Sequence, residues 1–208
     1  MLKAHQLDPR NARWPRQLAR AEVLVLDIKT PGTQDKATRD GCRTGLKYLE
    51  VAYELTDEKA RVSASEKGEL FLLEMATMAL AADESTRAKA YASELLRTLD
   101  DKTPKKNWNY GNAVYDGNLI LGHVALAEGN IAEAKQFLLA AGRTPGSPQL
   151  GSFGPNMSLA EQLLMKGEKQ VVLEYFELCR KFYKSGAARL DALKKAVEEG
   201  KKPDFSKY

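Results

Sequence analysis

A recurring spacing of small residues constrains the fold of this chain more than any other feature. Leu121 and Gly122 are followed by Gly129, Ala134 and Ala141. The same steps return 38 residues later, with Ala160 in place of Gly122, as Leu159, Ala160, Gly167, Val172 and Cys179. A looser copy stands 46 residues upstream, as Met75, Ala76, Asp83, Ala88 and Leu95. Physically, this spacing describes a helical hairpin. Small residues at Gly122 and Ala134 let two helices cross closely where larger side chains would hold the backbones apart. A glycine between them supplies the left-handed residue that ends the first helix. Pro145 and Pro148 then stop the second.

The rest of the chain is consistent with such hairpins. Ala, Leu, Glu and Lys dominate the periodic segments and strand-like alternation is almost absent, so the reading is all-α. Helices are expected near 12–28, 34–56, 59–82, 83–99, 107–128, 131–142, 157–167, 169–184 and 186–199. They pair as 12–56, 59–99, 107–142 and 157–184, plus a last C-terminal helix, within one domain spanning 1–208. The segment GELFLLEMATMALAA is apolar around much of its circumference and needs cover on more than one side. Residues 142–156, GRTPGSPQLGSFGPN, read as the longest irregular stretch.

Leu121-Gly122, the turn Gly129, and Ala134 and Ala141 at their offsets resemble the tetratricopeptide repeat. At the N-terminus, LDPRNARW looks like the junction between two such repeats. The spacing departs from the family's pattern: Ala125 stands at an aromatic position, Leu138 with Phe137 beside it at another, and the periods are longer than the family's. The resemblance implies antiparallel hairpins stacked as an α-solenoid that binds a protein or peptide in a concave groove. It implies groove positions at Asp116, Leu119, His123 and Leu126 in the central unit, and at Met157, Glu161 and Met165 in the next. Thr77 is the corresponding position in the upstream unit. Asn112 joins them by spacing. It also implies an N-terminal edge that lacks its repeat partner, through which the chain would pair with another copy or an upstream domain.

Read from its residues, NWNYGNAVYDGN at 107–118 is unusual for a helix. Glycine in a helix costs about 1 kcal/mol against alanine, so Gly111 and Gly117 imply close approach by another backbone or a ligand. Trp108, Tyr110 and Tyr115 beside several asparagines suit peptide recognition, because amides can hold a backbone while rings bury apolar groups. Arg143 and Phe153, in the 142–156 segment, are further binding candidates. The competing reading is an enzyme or accessory subunit with a small-molecule pocket near Trp108, Asp116 and His123. Asp116 and His123 lie seven residues apart, on one helical face but two turns distant, so they form no ready acid–base dyad.

Function classes are excluded mainly by what the motifs lack. No zinc-binding HExxH, Cys-x-x-Cys pair, phosphate loop or nucleophile elbow occurs. The two histidines, His5 and His123, cannot form a multi-histidine metal site, and no cofactor is expected. Basic and acidic residues, 32 and 28, are mixed along the chain for a net charge of +4. No basic stripe of the nucleic-acid-binding kind results, and KTPKK at 102–106 reads as a solvated end. The apolar run VLVLDI is too short to span a bilayer. Two distant cysteines, Cys42 and Cys179, and no signal-peptide pattern fit a cytoplasmic setting.

Overall fold

The computed structural model describes residues 11, 13–24, 33–56, 71–99 and 108–205, apart from the side chains of Trp14, residues 20–24 and Trp108. His5, the N-terminal edge, KTPKK and the first half of the expected 59–82 helix lie outside the described residues. The described chain is helical and contains no strand. None of its helices is long and apolar enough to cross a membrane. It gathers into two compact units, residues 1–98 and 99–208.

The first unit contains α1 (Arg13–Leu24), α2 (Lys36–Glu54), α3 (Phe71–Ala81) and α4 (Ser85–Thr98), each packed on the next. Asp35 starts α2 by accepting the Thr38 N–H at 2.8 Å, as an N-cap aspartate should. Leu46, Leu49 and Cys42 recur at helical spacing along α2 and are buried. Helix α3 is buried along most of its circumference, which explains its unbroken apolar sequence. Arg16 of α1 clamps Glu74 of α3 through two bonds of 3.1 and 3.0 Å, its guanidinium 4.3 Å from the Phe71 ring centroid. Such a fork pins two helices in one register.

The second unit contains α5 (Trp108–Ala127), α6 (Ile131–Gly142), α7 (Pro148–Phe153), α8 (Ser158–Met165), α9 (Lys169–Cys179), a 3-10 turn (Lys184–Gly186) and α10 (Ala187–Glu198). Helix α5 packs on α6, α6 on α9, α8 on α9, and α9 on α10. One core joins them, built around Tyr115, Leu119, Leu138, Leu159, Leu163, Tyr175, Phe176 and Leu190. Phe205 folds back against that core from beyond α10.

Three hairpin turns share one geometry. Asp83, Gly129 and Gly167 all have positive φ, of 59, 78 and 85°. Each donates its N–H to the carbonyl three residues back, and each following residue donates to the carbonyl five before it. These are the residues that the recurring spacing aligns, so the repeat in the sequence is a repeat of helix ends in space. Asp83 tolerates the left-handed region better than most side chains, and Arg39 lies 3.3 Å from its carboxylate. The close crossing is also real: a side-chain atom on Gly122 would overlap Leu159 and lie 3.3 Å from Phe137 Cβ.

Two boundaries differ from the sequence reading. Residues 142–156 are not wholly irregular, because α7 lies within them. Ser147 accepts the Leu150 N–H at 3.0 Å and Pro148 occupies the first turn, a start signal that the glycines and prolines around it obscured. The helix expected over 169–184 ends at Cys179, where Phe182 and Tyr183 both donate to the Cys179 carbonyl. Tyr183 is buried against the core there, and the chain turns around it.

Candidate functional site

Helix α5 carries most of the candidate residues, and its glycines explain how it is seated. Gly111 lies against Gly146 so closely that an added Cβ would overlap the Gly146 carbonyl oxygen, with Ser147 N 3.3 Å away. The Gly111 carbonyl accepts a 2.7 Å bond from the Thr144 hydroxyl. The glycine thus serves backbone-to-backbone contact with the 142–156 segment. One residue on, Asn112 accepts from the Ser147 hydroxyl at 2.5 Å and donates to Gln149. Asn112 is therefore engaged within the fold, fixing α7 on α5.

Tyr115 is buried, and its hydroxyl forms a closed triangle with Tyr175 and the Asn156 carbonyl. The three separations are 2.7, 3.0 and 2.9 Å. Two hydroxyl protons serve two acceptor positions, so both hydroxyls are satisfied away from water. Burial pushes both phenols well above their usual pKa, so they remain protonated. Burial also carries the neighbouring Cys179 thiol up to about 12, which makes it an unreactive core residue. The triangle pins the segment leading into α8. Tyr175→Phe, which removes one hydroxyl and keeps the ring, is expected to cost about 1 kcal/mol by urea denaturation.

His123 is 7% exposed and sits 3.0 Å from the Ser158 hydroxyl, with a further side-chain bond to Gln162. The proton positions follow from Asn156. Its Oδ1 takes the Ser158 N–H at 2.8 Å and the Ser158 hydroxyl at 2.6 Å. Having given away its one proton, the Ser158 oxygen can only accept from His123, so Nε2 carries the hydrogen. Ser158 is consequently not activated as a nucleophile. Burial lowers the His123 pKa to about 4, leaving the ring neutral near pH 7. The histidine joins α5 to α8.

Asp116 behaves differently. It stands one turn from Asn112 and two from His123 on the same side of α5, with partial exposure. No hydrogen bond or ion pair reaches its carboxyl among the described residues. Desolvation by the surrounding protein alone raises its pKa to about 7. Titratable groups displaced in this way concentrate at functional sites.

The other candidates divide by burial. Leu119 and Met157 are core residues, and Leu126 packs partly buried against that core. Glu161 is half-buried on α8, three residues after Ser158, and Met165 on the same side of α8 is 69% exposed. Tyr110 is half-buried, and Trp108 opens α5. Arg143 closes the end of α6 and lies 3.7 Å from Glu174. Phe153 ends α7 with 81% exposure. In the first unit, Thr77 is exposed and its hydroxyl donates to the Leu73 carbonyl at 2.8 Å.

What the structure brings together is therefore His123 on α5 with Ser158 and Gln162 on α8, and Asn112 with Ser147 and Gln149 at the start of α7. Ser158, Gln162 and Asn156 were not singled out from the sequence. The one signal was Asn156-Met157-Ser158 before an apolar run, which marks a turn into a helix but not its histidine partner. No group of His, Cys, Asp and Glu suited to a metal ion occurs among the described residues. Compared with protein-family models, curated proteins and solved structures, the chain matches none of them.

Proposed function

We propose that the chain is a divergent tetratricopeptide-like array, working in the cytoplasm, that binds a protein segment along the shared face of α5 and α8. The observation that carries this reading is Asp116. A half-buried carboxyl that no hydrogen bond reaches is costly to ionise, and a partner that supplies a donor recovers the loss. Its neighbours reinforce the point. Asn112 and His123 are already bonded internally, so they hold the face rigid around it. Met165 offers exposed apolar surface on the adjoining helix. The three equivalent hairpin turns support the repeat architecture on which such a face would be built.

The test is recovery of partners from the native host with wild type and with an Asp116→Ala/His123→Gln variant whose helicity is verified. Loss of specific partners from the variant is expected. Equal recovery at equal yield would remove the assignment of this face.

A second reading has one observation in its favour. A carboxyl with a pKa of about 7 is suited to general acid–base work on a small molecule. His123 on the same face is not its second catalytic group, since the Nε2 proton is committed to Ser158. Recovery of a tightly held small molecule with no protein partner would favour this reading over the first.

A further inference from the structure

A different surface of the second unit is marked by its charge. Residues 144–160, which contain α7, carry no charged side chain. Residues 178–190, which lead from α9 into α10, carry Arg180, Lys181, Lys184 and Arg189 and no carboxylate. The fold seats these two stretches on each other. The Ser185 hydroxyl donates to the Gly151 carbonyl at 2.8 Å. An added Cβ on Gly154 would meet the Tyr183 ring at 2.8 Å, and one on Gly146 would lie 2.7 Å from Phe182 Cβ. Phe153 stands between Gly151 and Gly154, the two residues of α7 and its cap that touch the basic turn. It is the most exposed large apolar side chain among the described residues, at 81%. Of the four cations, Arg180 pairs with Asp191 and Glu177. Lys181, Lys184 and Arg189 are exposed, and their side chains make no ion pair or hydrogen bond among the described residues. The nearest carboxylates in sequence are taken, Glu177 by Lys194 and Asp191 by Arg180. Other unpaired cations, such as Lys36, Lys47 and Lys166, are spread along the chain, whereas these three fall between positions 181 and 189.

We propose that this surface docks on an anionic phospholipid bilayer, with Phe153 entering the interface while Lys181, Lys184 and Arg189 engage the headgroups. Basic groups beside an aromatic or aliphatic anchor are the combination that holds a protein on a membrane without crossing it. Each cation near an anionic leaflet strengthens binding by about fivefold. The net charge of +4 adds attraction at longer range. A bilayer suits this geometry better than a protein partner does. A single protruding ring needs a matching cavity in a protein, but none in a fluid interface. The uncharged residues on either side of Phe153 bring no carboxylate toward the headgroups. The ring is also presented on a fixed platform. Helix α7 is held on one flank by the Gly111–Gly146 contact and the Asn112–Ser147 bond, and on the other by Ser185. Little ordering is then left to be done on binding. Segment binding at α5 and α8 and membrane docking here use different residues, so either can fail alone.

The experiment uses the full chain and sedimentation with vesicles of phosphatidylcholine, with or without phosphatidylserine. Partition into the serine-containing vesicles is expected to be more than about tenfold stronger, and to be lost at high salt. Lys181→Gln/Lys184→Gln/Arg189→Gln should remove the preference, and Phe153→Ala should weaken binding several-fold. Lys36→Gln/Lys47→Gln/Lys166→Gln removes the same charge from elsewhere and should leave most of the binding in place. Phe153→Trp reports insertion. Its emission should shift to the blue and be quenched by brominated lipid on anionic vesicles, beyond the background that wild type gives from Trp14 and Trp108. Absence of vesicle binding would overturn the proposal. So would equal losses from the two triple variants, because binding would then follow net charge alone, and so would binding without a change at position 153. Acidic peptides that shift the Phe153→Trp emission where vesicles do not would replace the membrane with a protein partner.

Discussion

Denaturation of the Asp116→Asn variant is expected to show a stability gain relative to wild type that grows by roughly 3 kcal/mol as pH rises from about 4 to about 7. The folded chain keeps the Asp116 proton until about pH 7, whereas an unfolded aspartate loses it near 3.8. Between those values the folded state holds the extra proton. This group's contribution therefore falls as pH rises, and removing the carboxyl removes the fall. His123 acts in the opposite sense. Folded, it takes a proton only near pH 4, while the unfolded histidine takes one near 6.5. In that window the unfolded state holds the extra proton, and stability rises with pH. In the wild type the two contributions largely offset one another. Asp116→Asn should therefore unmask a rising profile, and His123→Gln should unmask a falling one. Urea denaturation at steps across this range reads both, and parallel profiles for all three proteins would contradict the burial assigned to these groups.

Gly111→Ala is expected to cost about 3 kcal/mol. The new methyl group would occupy the place of the Gly146 carbonyl oxygen, and that obstacle is backbone with no flexible end to move. Overpacking of this kind costs up to about 3 kcal/mol. Displacing the segment also strains the Thr144 bond to the Gly111 carbonyl, worth about 1 kcal/mol, and the Asn112–Ser147 bond beside it. The gain in helix propensity returns only about 1 kcal/mol. Gly129→Ala is the informative contrast, because nothing lies near its added Cβ and only its φ of 78° resists, at about 1 kcal/mol. Thermal or urea denaturation distinguishes the two. Hydrogen exchange should show faster exchange in α7 for Gly111→Ala and not for Gly129→Ala. Similar small losses for both would mean that the α5 contact with Gly146 is loose.

Much of the local structure can be read from residue types. The α6 and C-terminal helices fall within a residue or two of their expected limits because small residues, caps and turn glycines act over one or two turns. The site is less legible. Asn112, Asp116 and His123 share a face by spacing alone, yet spacing does not say that Asn112 is taken by Ser147 and His123 by Ser158. Those partners stand 35 residues away in both cases. Nor does it mark Tyr175, whose hydroxyl meets Tyr115 across 60 residues.

The sequence by itself determined the helical hairpins and their turns, including the recurrence of Asp83, Gly129 and Gly167, because helix ends obey short-range sterics and hydrogen bonding. Only the tertiary structure decided which polar groups were consumed by the fold and which were left over. Satisfaction of a buried group depends on neighbours distant along the chain, and this is what separates the engaged His123 from the unmatched Asp116.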